Sequence, residues 1–168
     1  MKLDIPDKFF NEEELKNTPG RFEGFLKEWL EESHNFKFTT FKNCGVNNMV
    51  IVKDITFYSL CSHHTIPFFG TVSIGYIADE KICGLSKLAR AVDKFSHKPQ
   101  LQEKMTEEIA NFLDAELKPK GLIIVVSGEH LCMSMRGIRK PGHKTITSSV
   151  RGCFNEMKVK EEFFQLIR

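Results

Sequence analysis

The sequence predicts an α+β protein built on an antiparallel sheet, with its helices packed on one face of that sheet. Two pairs of strand-like segments, 48–61 with 68–78 and 122–136 with 145–153, flank two consecutive amphipathic helices. Hairpins that enclose a helical pair favour an antiparallel sheet, whereas a doubly wound parallel sheet needs alternating strands and helices. We therefore expect a four-stranded sheet with a helical pair between its second and third strands.

The first part of the chain is predicted to be a helix that leads into the first hairpin. Residues 11–33 place apolar side chains on one helical stripe, which we expect to be interrupted near Pro19 and Gly20. Residues 48–61 and 68–78 are rich in β-branched residues and alternate between apolar and polar positions, which is typical of half-buried strands.

The two central helices and the second hairpin complete the predicted core. Apolar residues recur at helical spacing over 85–97 and 100–118. Residues 122–136 begin as a buried strand and continue as an alternating one, and residues 156–167 could form a final helix. The 168 residues are one domain's worth of chain. We divide this single domain, 1–168, into an N-terminal helical region (1–47), a core (48–154) and a C-terminal helix (155–168).

Composition and charge exclude several classes of protein. Hydrophobic residues make up 41% of the chain and Phe occurs 15 times, which excludes a disordered chain. The net charge of +2 provides no coat for nucleic acid, and no apolar run approaches the roughly 18 residues of a membrane span. The acidic start of the chain differs from an export signal. We therefore expect a cytoplasmic protein that binds neither nucleic acid nor membrane, with its five cysteines as thiols.

Cysteine and histidine occur together at the ends of two predicted strands. The two groups are Cys61, His63 and His64, and His130 and Cys132. If the second strand continues to Arg136, one face of it carries His130, Cys132, Ser134 and Arg136. Zinc binds Cys sulfur and His nitrogen, and a catalytic zinc site keeps three protein ligands with a fourth position open.

Cys61, His64 and Cys132 supply such a ligand set, which leaves His63 and His130 beside the metal as proton carriers. Each group taken alone has a simpler explanation, because a Cys-x-x-His spacing arises by chance and a buried cysteine usually packs as a small hydrophobe. The two groups together favour a metal site, but they name no substrate.

Cations line one face of the helix at 85–97. Lys87, Arg90 and Lys94 follow one another at spacings of three and four, which on most helices forms a solvated surface. The alternative is an anion site, in which Lys87 and Arg90 hold phosphate oxygens and Arg136 reaches them from the strand.

Gln102 and Glu103 open the next helix. An acid is favourable in a first helical turn because of the helix dipole, and that is the simpler explanation. Alternatively, one carboxylate there accepts hydrogen bonds from N1–H and the 2-amino group of a guanine. The sequence contains neither a Gly-x-Gly-x-x-Gly nor a Walker-type loop, so it predicts no standard nucleotide cradle.

Several long motifs of this chain occur together in one order. They are FYSLCSHHTIPFFG (57–70), GLSKLAR (84–90), PQLQEKMTEEIA (99–110) and EHLCMSMRGIRKPGHKTITSSVRG (129–152). On these motifs the chain resembles GTP cyclohydrolase I, the zinc-dependent type with the tunnelling-fold (T-fold) architecture. The resemblance covers most of residues 18–154.

The resemblance implies a role for each candidate residue. Cys61, His64 and Cys132 match the family's zinc ligands, and His63 and His130 match its acid–base histidines. The matching substrate positions are Gln102 and Glu103 at the pyrimidine part of guanine, Ser86 near the ribose, and Lys87, Arg90 and Arg136 around the triphosphate.

The reaction implied by the resemblance converts GTP to 7,8-dihydroneopterin triphosphate and formate. Water attacks C8, the imidazole ring opens, formate is released, and the ribose chain rearranges and closes a new ring. This is a first step towards folate, other pterins or 7-deazaguanine nucleosides. The family also implies a homo-oligomer, a decamer of two pentameric rings in which the sheets of neighbouring subunits join into a barrel and neighbours share each site.

Two other functions are compatible with the same motifs. One is a non-catalytic, zinc-stapled T-fold scaffold, which His63, His130 and Glu103 disfavour because a structural zinc site needs none of them. The other is a T-fold enzyme that acts on a related pterin or deazapurine, which the triphosphate cations disfavour. The sequence assigns no role to Cys44, Cys83, Cys153 and His143.

Overall fold

The computed structural model describes residues 10–31 and 36–168. The helices are α1 (Glu12–Glu31), α2 (Leu85–Ser96), α3 (Gln102–Leu117), α4 (Leu131–Ser134) and α5 (Met157–Ile167), with a 3₁₀ turn at Cys153–Asn155. The strands are β1 (Thr40–Lys42), β2 (Met49–Cys61), β3 (Pro67–Ile77), β4 (Lys81–Cys83), β5 (Pro99–Gln100), β6 (Gly121–His130) and β7 (Thr145–Gly152).

The main sheet has five strands in the order β5-β2-β3-β6-β7. Its four long strands pair antiparallel, so both predicted hairpins and the helical pair between them are confirmed. At the edge, β5 adds a parallel pairing of two residues beside Leu60 and Cys61, and β1 pairs with β4 in a separate small sheet. The sheet is therefore mixed, and the prediction of a purely antiparallel four-stranded sheet is wrong at this edge. Strands this short carry no periodic sequence pattern.

The two faces of the main sheet have different covers. Val72, Ile74 and Tyr76 point into the larger core together with buried residues of α2 and α3. On the opposite face, Ile123 packs in a second cluster with Phe163 of α5. The prediction that all helices lie on one face is therefore wrong for α5, because the strand period of two buries apolar side chains on both faces of β6.

Helix α1 runs without a break through Pro19, contrary to the predicted interruption. Its start is a capping box, in which Asn11 Oδ1 accepts from the Glu14 N–H at 2.8 Å and Glu14 Oε2 accepts from the Asn11 N–H at 2.9 Å. In the turn before Pro19, the Thr18 hydroxyl donates to the Glu14 carbonyl at 2.6 Å. The carbonyl that lacks a helical donor because of Pro19 is that of Leu15, four residues earlier.

The predicted strand over 122–136 ends at His130, and Leu131–Ser134 is a short helix instead. The register explains this correction. His130 pairs with Phe68, near the start of β3, while on the other side β7 pairs with β6 only as far as Gly128. Among the described residues, no strand pairs with the chain beyond His130, so its backbone groups are satisfied by a helical turn. The expectation that alternate residues from His130 to Arg136 share a strand face is therefore wrong.

Two further expectations concern the chemistry of the chain. All five cysteines are free thiols, as the sequence predicted. Among residues 10–31 and 36–168, no helix has the length and apolar character that crossing a membrane requires.

Candidate metal centre and its surroundings

One end of the main sheet brings two cysteines and a histidine together. Cys61 closes β2, His64 follows in a tight turn, and Cys132 lies in α4 just after β6. Their ligand atoms all lie within 4.8 Å of one another, and Cys61 Sγ is 3.7 Å from His64 Nδ1. Among the described residues this is the group of side chains that can hold a metal ion.

The turn after Cys61 aims two backbone donors at one carbonyl. The N–H groups of His64 and Thr65 donate to the Cys61 carbonyl at 3.2 and 2.7 Å, and the Cys61 N–H donates to the Ile66 carbonyl at 2.9 Å. Thr65 has a left-handed φ of 54°, which is uncommon for a β-branched residue. This turn brings the His64 side chain back to Cys61. The Cys-x-x-His spacing therefore places the two ligand atoms next to each other.

Burial raises the pKa of the Cys132 thiol, and the neighbouring Cys61 raises it further, while the charge of Arg136 opposes the shift. Without a metal the thiol therefore holds its proton at neutral pH. A metal ion binds the thiolate, so binding at this site is accompanied by proton release.

His130 is held beside this triangle by two contacts. Its ring stacks on Phe68 at 4.5 Å between centroids with an interplanar angle of 3°, and its Nε2 lies 2.9 Å from Gln102 Oε1. Burial lowers the pKa of His130, and the nearby Glu103 carboxylate opposes that shift. The imidazole is therefore neutral at pH 7.

The hydrogen bonds of Gln102 determine which nitrogen of His130 carries the proton. Gln102 Nε2 donates to the Thr145 carbonyl at 2.9 Å, and the Val126 carbonyl and Thr147 hydroxyl lie at 3.3 and 3.2 Å. Because these acceptors fix the amide orientation, Oε1 faces His130 and must accept a hydrogen bond from Nε2–H. The lone pair of the neutral ring is therefore on Nδ1.

The remaining predicted residues at this end of the sheet are exposed. His63 lies in the turn next to His64, with 6.1 Å between ring centroids. Glu103 follows Gln102 at the start of α3, and Arg136 follows α4. Gln102 differs from them because it is only 1% exposed. Its amide forms hydrogen bonds to other residues of the same chain.

The predicted phosphate cations of α2 lie elsewhere in the subunit. Helix α2 begins after Cys83, which lies against Tyr76, and ends near Lys98, whose carbonyl accepts from Ser59 at 3.1 Å. Tyr76 is roughly 27 Å along β3 from Phe68. Ser86, Lys87 and Arg90 occupy the early turns of α2, so one subunit does not bring them to the metal triangle. In this structure the Lys87 ammonium donates to the Lys37 carbonyl at 2.9 Å.

A concave surface near this end of the sheet does not include the predicted site. A cavity of about 330 Å³ is lined by Phe25, Glu28, Trp29, Tyr58, Pro67 and His97. None of these is a predicted site residue. The metal triangle, in which Cys61 is buried, Cys132 is half-buried and His64 is exposed, thus lies outside that cavity.

Sequence reasoning missed two side chains that organise this region. Phe68 supplies the stacking surface for His130, and Glu129 accepts from the Ser134 hydroxyl at 2.8 Å. The signal for Phe68 was present, because the strand period of two places it on the same face of β3 as Val72, Ile74 and Tyr76. Nothing in the sequence signalled that Glu129 contacts the loop that follows it.

Fold and site together define a class of protein. It is an α+β protein in which three side chains that can hold a metal ion converge beside a half-buried histidine whose Nε2–H is engaged by Gln102, an arrangement typical of a catalytic metal site.

Comparison with known proteins identifies the family within this class. The sequence profile of GTP cyclohydrolase I matches residues 3–168. GTP cyclohydrolase 1 of Aquifex aeolicus is 54% identical over 158 residues, covering 93% of this chain and 85% of the relative. That of Hydrogenobaculum sp. is 52% identical over 158 residues, covering 93% and 86%. The apo archaeosine synthase QueF-Like structure matches with a TM-score of 0.49 and 18% identity, over 62% of this chain and 93% of that one. The chain belongs to the GTP cyclohydrolase I family.

Proposed function

We propose that the protein hydrolyses GTP to 7,8-dihydroneopterin triphosphate and formate at a zinc centre held by Cys61, His64 and Cys132. The observation that carries the proposal is the convergence of these three ligand atoms within 4.8 Å in a chain of the GTP cyclohydrolase I family. His130 beside them supplies a proton carrier that a purely structural metal site does not need.

The donor set fits zinc. Bond lengths of about 2.3 Å to sulfur and 2.0–2.1 Å to nitrogen at a tetrahedral angle separate the two ligand atoms by about 3.6 Å. The separation between Cys61 Sγ and His64 Nδ1 is 3.7 Å. Two thiolates and one imidazole also leave the fourth position for water, as a catalytic zinc requires.

The chemistry is divided between the metal and the chain. When bound, zinc supplies Lewis acidity to the water that attacks C8 of the substrate. Because Gln102 engages Nε2–H of His130, the proton that His130 takes or gives during ring opening is exchanged at Nδ1. His63, exposed in the turn beside His64, is the second proton carrier.

Substrate orientation is assigned to the start of α3. The Glu103 carboxylate is exposed and accepts hydrogen bonds from the N1–H and 2-amino group of guanine. The buried Gln102 amide supports this contact indirectly, because it fixes the ring of His130 next to the carboxylate.

The triphosphate site is proposed to form between subunits. Arg136 of one subunit lies near the metal triangle, whereas Ser86, Lys87 and Arg90 lie on the distant part of α2. A neighbouring copy would complete the site by presenting its α2 cations to the triangle. The homo-oligomer that does this is the T-fold decamer of two pentameric rings.

The edges of the main sheet support such an assembly. Strand β7 is an edge strand, and β5 covers only the last two residues of the opposite edge strand β2. Tyr58 on β2 and Ile146 on β7 are 63% and 68% exposed. Unpaired edges bearing large apolar side chains are an aggregation hazard unless another strand pairs with them.

The cytoplasmic location of the protein stays a prediction.

The test is a direct assay on the purified, zinc-loaded oligomer. GTP is added, formate is quantified, and the product is oxidised so that neopterin fluorescence can be read. Formate and neopterin in equal amounts support the proposal. A zinc-loaded oligomer that yields neither is a scaffold, and turnover of a pterin or deazapurine without turnover of GTP would assign the related activity instead.

A further inference from the structure

The loop at residues 135–144 joins the metal centre to β7. It starts directly after α4, which carries Cys132, and it contains Arg136. Its backbone has left-handed φ angles at Gly137, Arg139 and Gly142, of 61°, 51° and 78°. A non-glycine residue in this region, such as Arg139, costs free energy and persists only where the surroundings hold it. Contacts with the rest of the protein must therefore stabilise the conformation of this loop.

The first half of the loop is held by its own backbone. The Lys140 N–H donates to the Met133 carbonyl at 2.9 Å and the Arg139 N–H to the Arg136 carbonyl at 3.2 Å. These bonds close a tight turn on α4. They do not determine where α4 and the turn lie relative to the sheet.

The second fixing point is the Glu129 carboxylate at the end of β6. Its Oε1 accepts from the Ser134 hydroxyl at 2.8 Å, and its Oε2 lies 3.9 Å from Lys144 Nζ. The Ser134 hydroxyl, and less strongly the Gly142 N–H and the charges of Lys144 and His143, lower the pKa of Glu129. One carboxylate thus contacts residues on both sides of the loop.

Strand parity shows that Glu129 does not belong to the reacting centre itself. His130 points to the face where it stacks on Phe68, and the next residue along a strand points to the other face. Glu129 therefore projects away from His130 and from the face of the sheet that α2 and α3 cover. Any effect on the reaction must pass through the loop.

We infer that Glu129 is a positioning residue that clamps the 135–144 loop to the end of β6, and thereby places Arg136 where it binds the substrate triphosphate. This inference rests on the proposed function, because it assigns the phosphates of GTP as the group that Arg136 meets. The side chain makes no contact with substrate. Its contribution is to reduce the number of loop conformations that must be restricted when the triphosphate binds.

The test compares Glu129→Ala, Glu129→Gln and Ser134→Ala with the wild type at fixed pH. Zinc content, kcat and KM for GTP are measured, together with inhibition constants for inorganic triphosphate and for guanosine. We expect Glu129→Ala to raise KM and the triphosphate constant about tenfold, Glu129→Gln about threefold, and Ser134→Ala about twofold. The guanosine constant, the zinc content and kcat should each stay within twofold.

Glu107→Gln is the matched control, because it removes a carboxylate that pairs with Arg151 at 2.6 Å away from the loop. It should leave all of these quantities unchanged. Equal losses for guanosine and triphosphate, or a fall in kcat at unchanged KM, would overturn the inference. So would a Glu129→Ala protein with wild-type affinity for inorganic triphosphate. If Glu129→Ala does not fold, Glu129→Gln, with its expected threefold rise in KM and in the triphosphate constant, decides the outcome.

Failure of the proposed function gives a different result. A wild-type protein that is zinc-loaded but produces no formate from GTP refutes the function. The inorganic triphosphate measurement still tests the clamp in that case, because binding of triphosphate to the loop needs no turnover.

Discussion

The two ends of the main sheet use the same strands but are stabilised in different ways. At the end that carries Met49, Ile77 and Gly121, apolar side chains pack against Phe163 of α5. The packing there is so close that a Cβ on Gly75 would lie 2.7 Å from the Phe163 ring. At the other end, Cys61, His130 and Gln102 meet through hydrogen bonds and a potential metal site.

Because of this difference, the stability of the fold and the chemistry of the site depend on opposite ends of the sheet. Burial of apolar area is non-directional and acts on the whole fold, so substitutions at the Phe163 end should lower stability and leave the site intact. Hydrogen bonds and metal ligands act through defined atoms, so substitutions at the Cys61 end should remove metal or turnover at a smaller cost in stability. Four substitutions test this separation.

The largest effect is expected for Cys132→Ala. This change removes one of three converging ligands, so the protein should lose its zinc and at least about 1,000-fold of its activity. Zinc is measured after gel filtration and activity by formate release. Retention of stoichiometric zinc would show that the triangle is not the metal site.

His63→Ala should keep zinc and lose turnover. The residue is exposed next to His64, and proton transfer by a positioned side chain contributes about 10²- to 10⁴-fold to a rate. The decisive comparison is zinc content against kcat in the same preparation. If the variant instead loses its metal, the division between ligand and acid–base histidine is wrong.

Phe163→Ala should destabilise the fold without changing the site. Its side chain is completely buried against Ile123 and Phe154, and truncation of a buried Phe costs about 3–5 kcal/mol. Denaturant unfolding at fixed subunit concentration measures this loss. Zinc content and KM below the unfolding transition should match those of the wild type, and a change in either would couple the two ends of the sheet.

The smallest effect is expected for Gln102→Ala. It removes the hydrogen bond that orients the His130 ring and the amide donor that faces the Val126 and Thr145 carbonyls. Loss of such an orienting contact costs about 10- to 100-fold in activity, seen in kcat with zinc retained. Thr106→Val is the control, since its hydroxyl contacts Thr147 at 2.6 Å but not His130. If both variants lose the same activity, packing rather than orientation of His130 explains the loss.

Much of the fold followed from local patterns. The alternation in 48–61 and 68–78 predicted β2 and β3 to within a residue or so at each end, because one buried face imposes a period of two. The helical spacing in 100–118 predicted α3 equally well. The pattern failed after His130, where continued alternation suggested a strand but no strand within residues 10–31 and 36–168 pairs with this segment.

The metal ligands were predictable for a different reason. Zinc restricts both residue type and spacing, so Cys61, His64 and Cys132 could be selected from the sequence, and the structure brings them together. Gln102 was also selected, but as a substrate contact. Its burial and its bonds to His130 and Thr145 depend on how α3 packs on the sheet, which no local pattern encodes.

The sequence by itself determined the α+β class, the two hairpins with their helical pair, and the set of residues that can bind a metal, because periodicity and ligand chemistry are local properties of the chain. Only the tertiary structure decided that α5 covers the second face of the sheet, that Glu129 contacts Ser134 and Lys144, and that the early turns of α2 lie far from Cys61. Each of these depends on distances between segments remote in sequence. Those distances are set by strand register and by the packing of helices on the sheet, which form only when the whole core is buried.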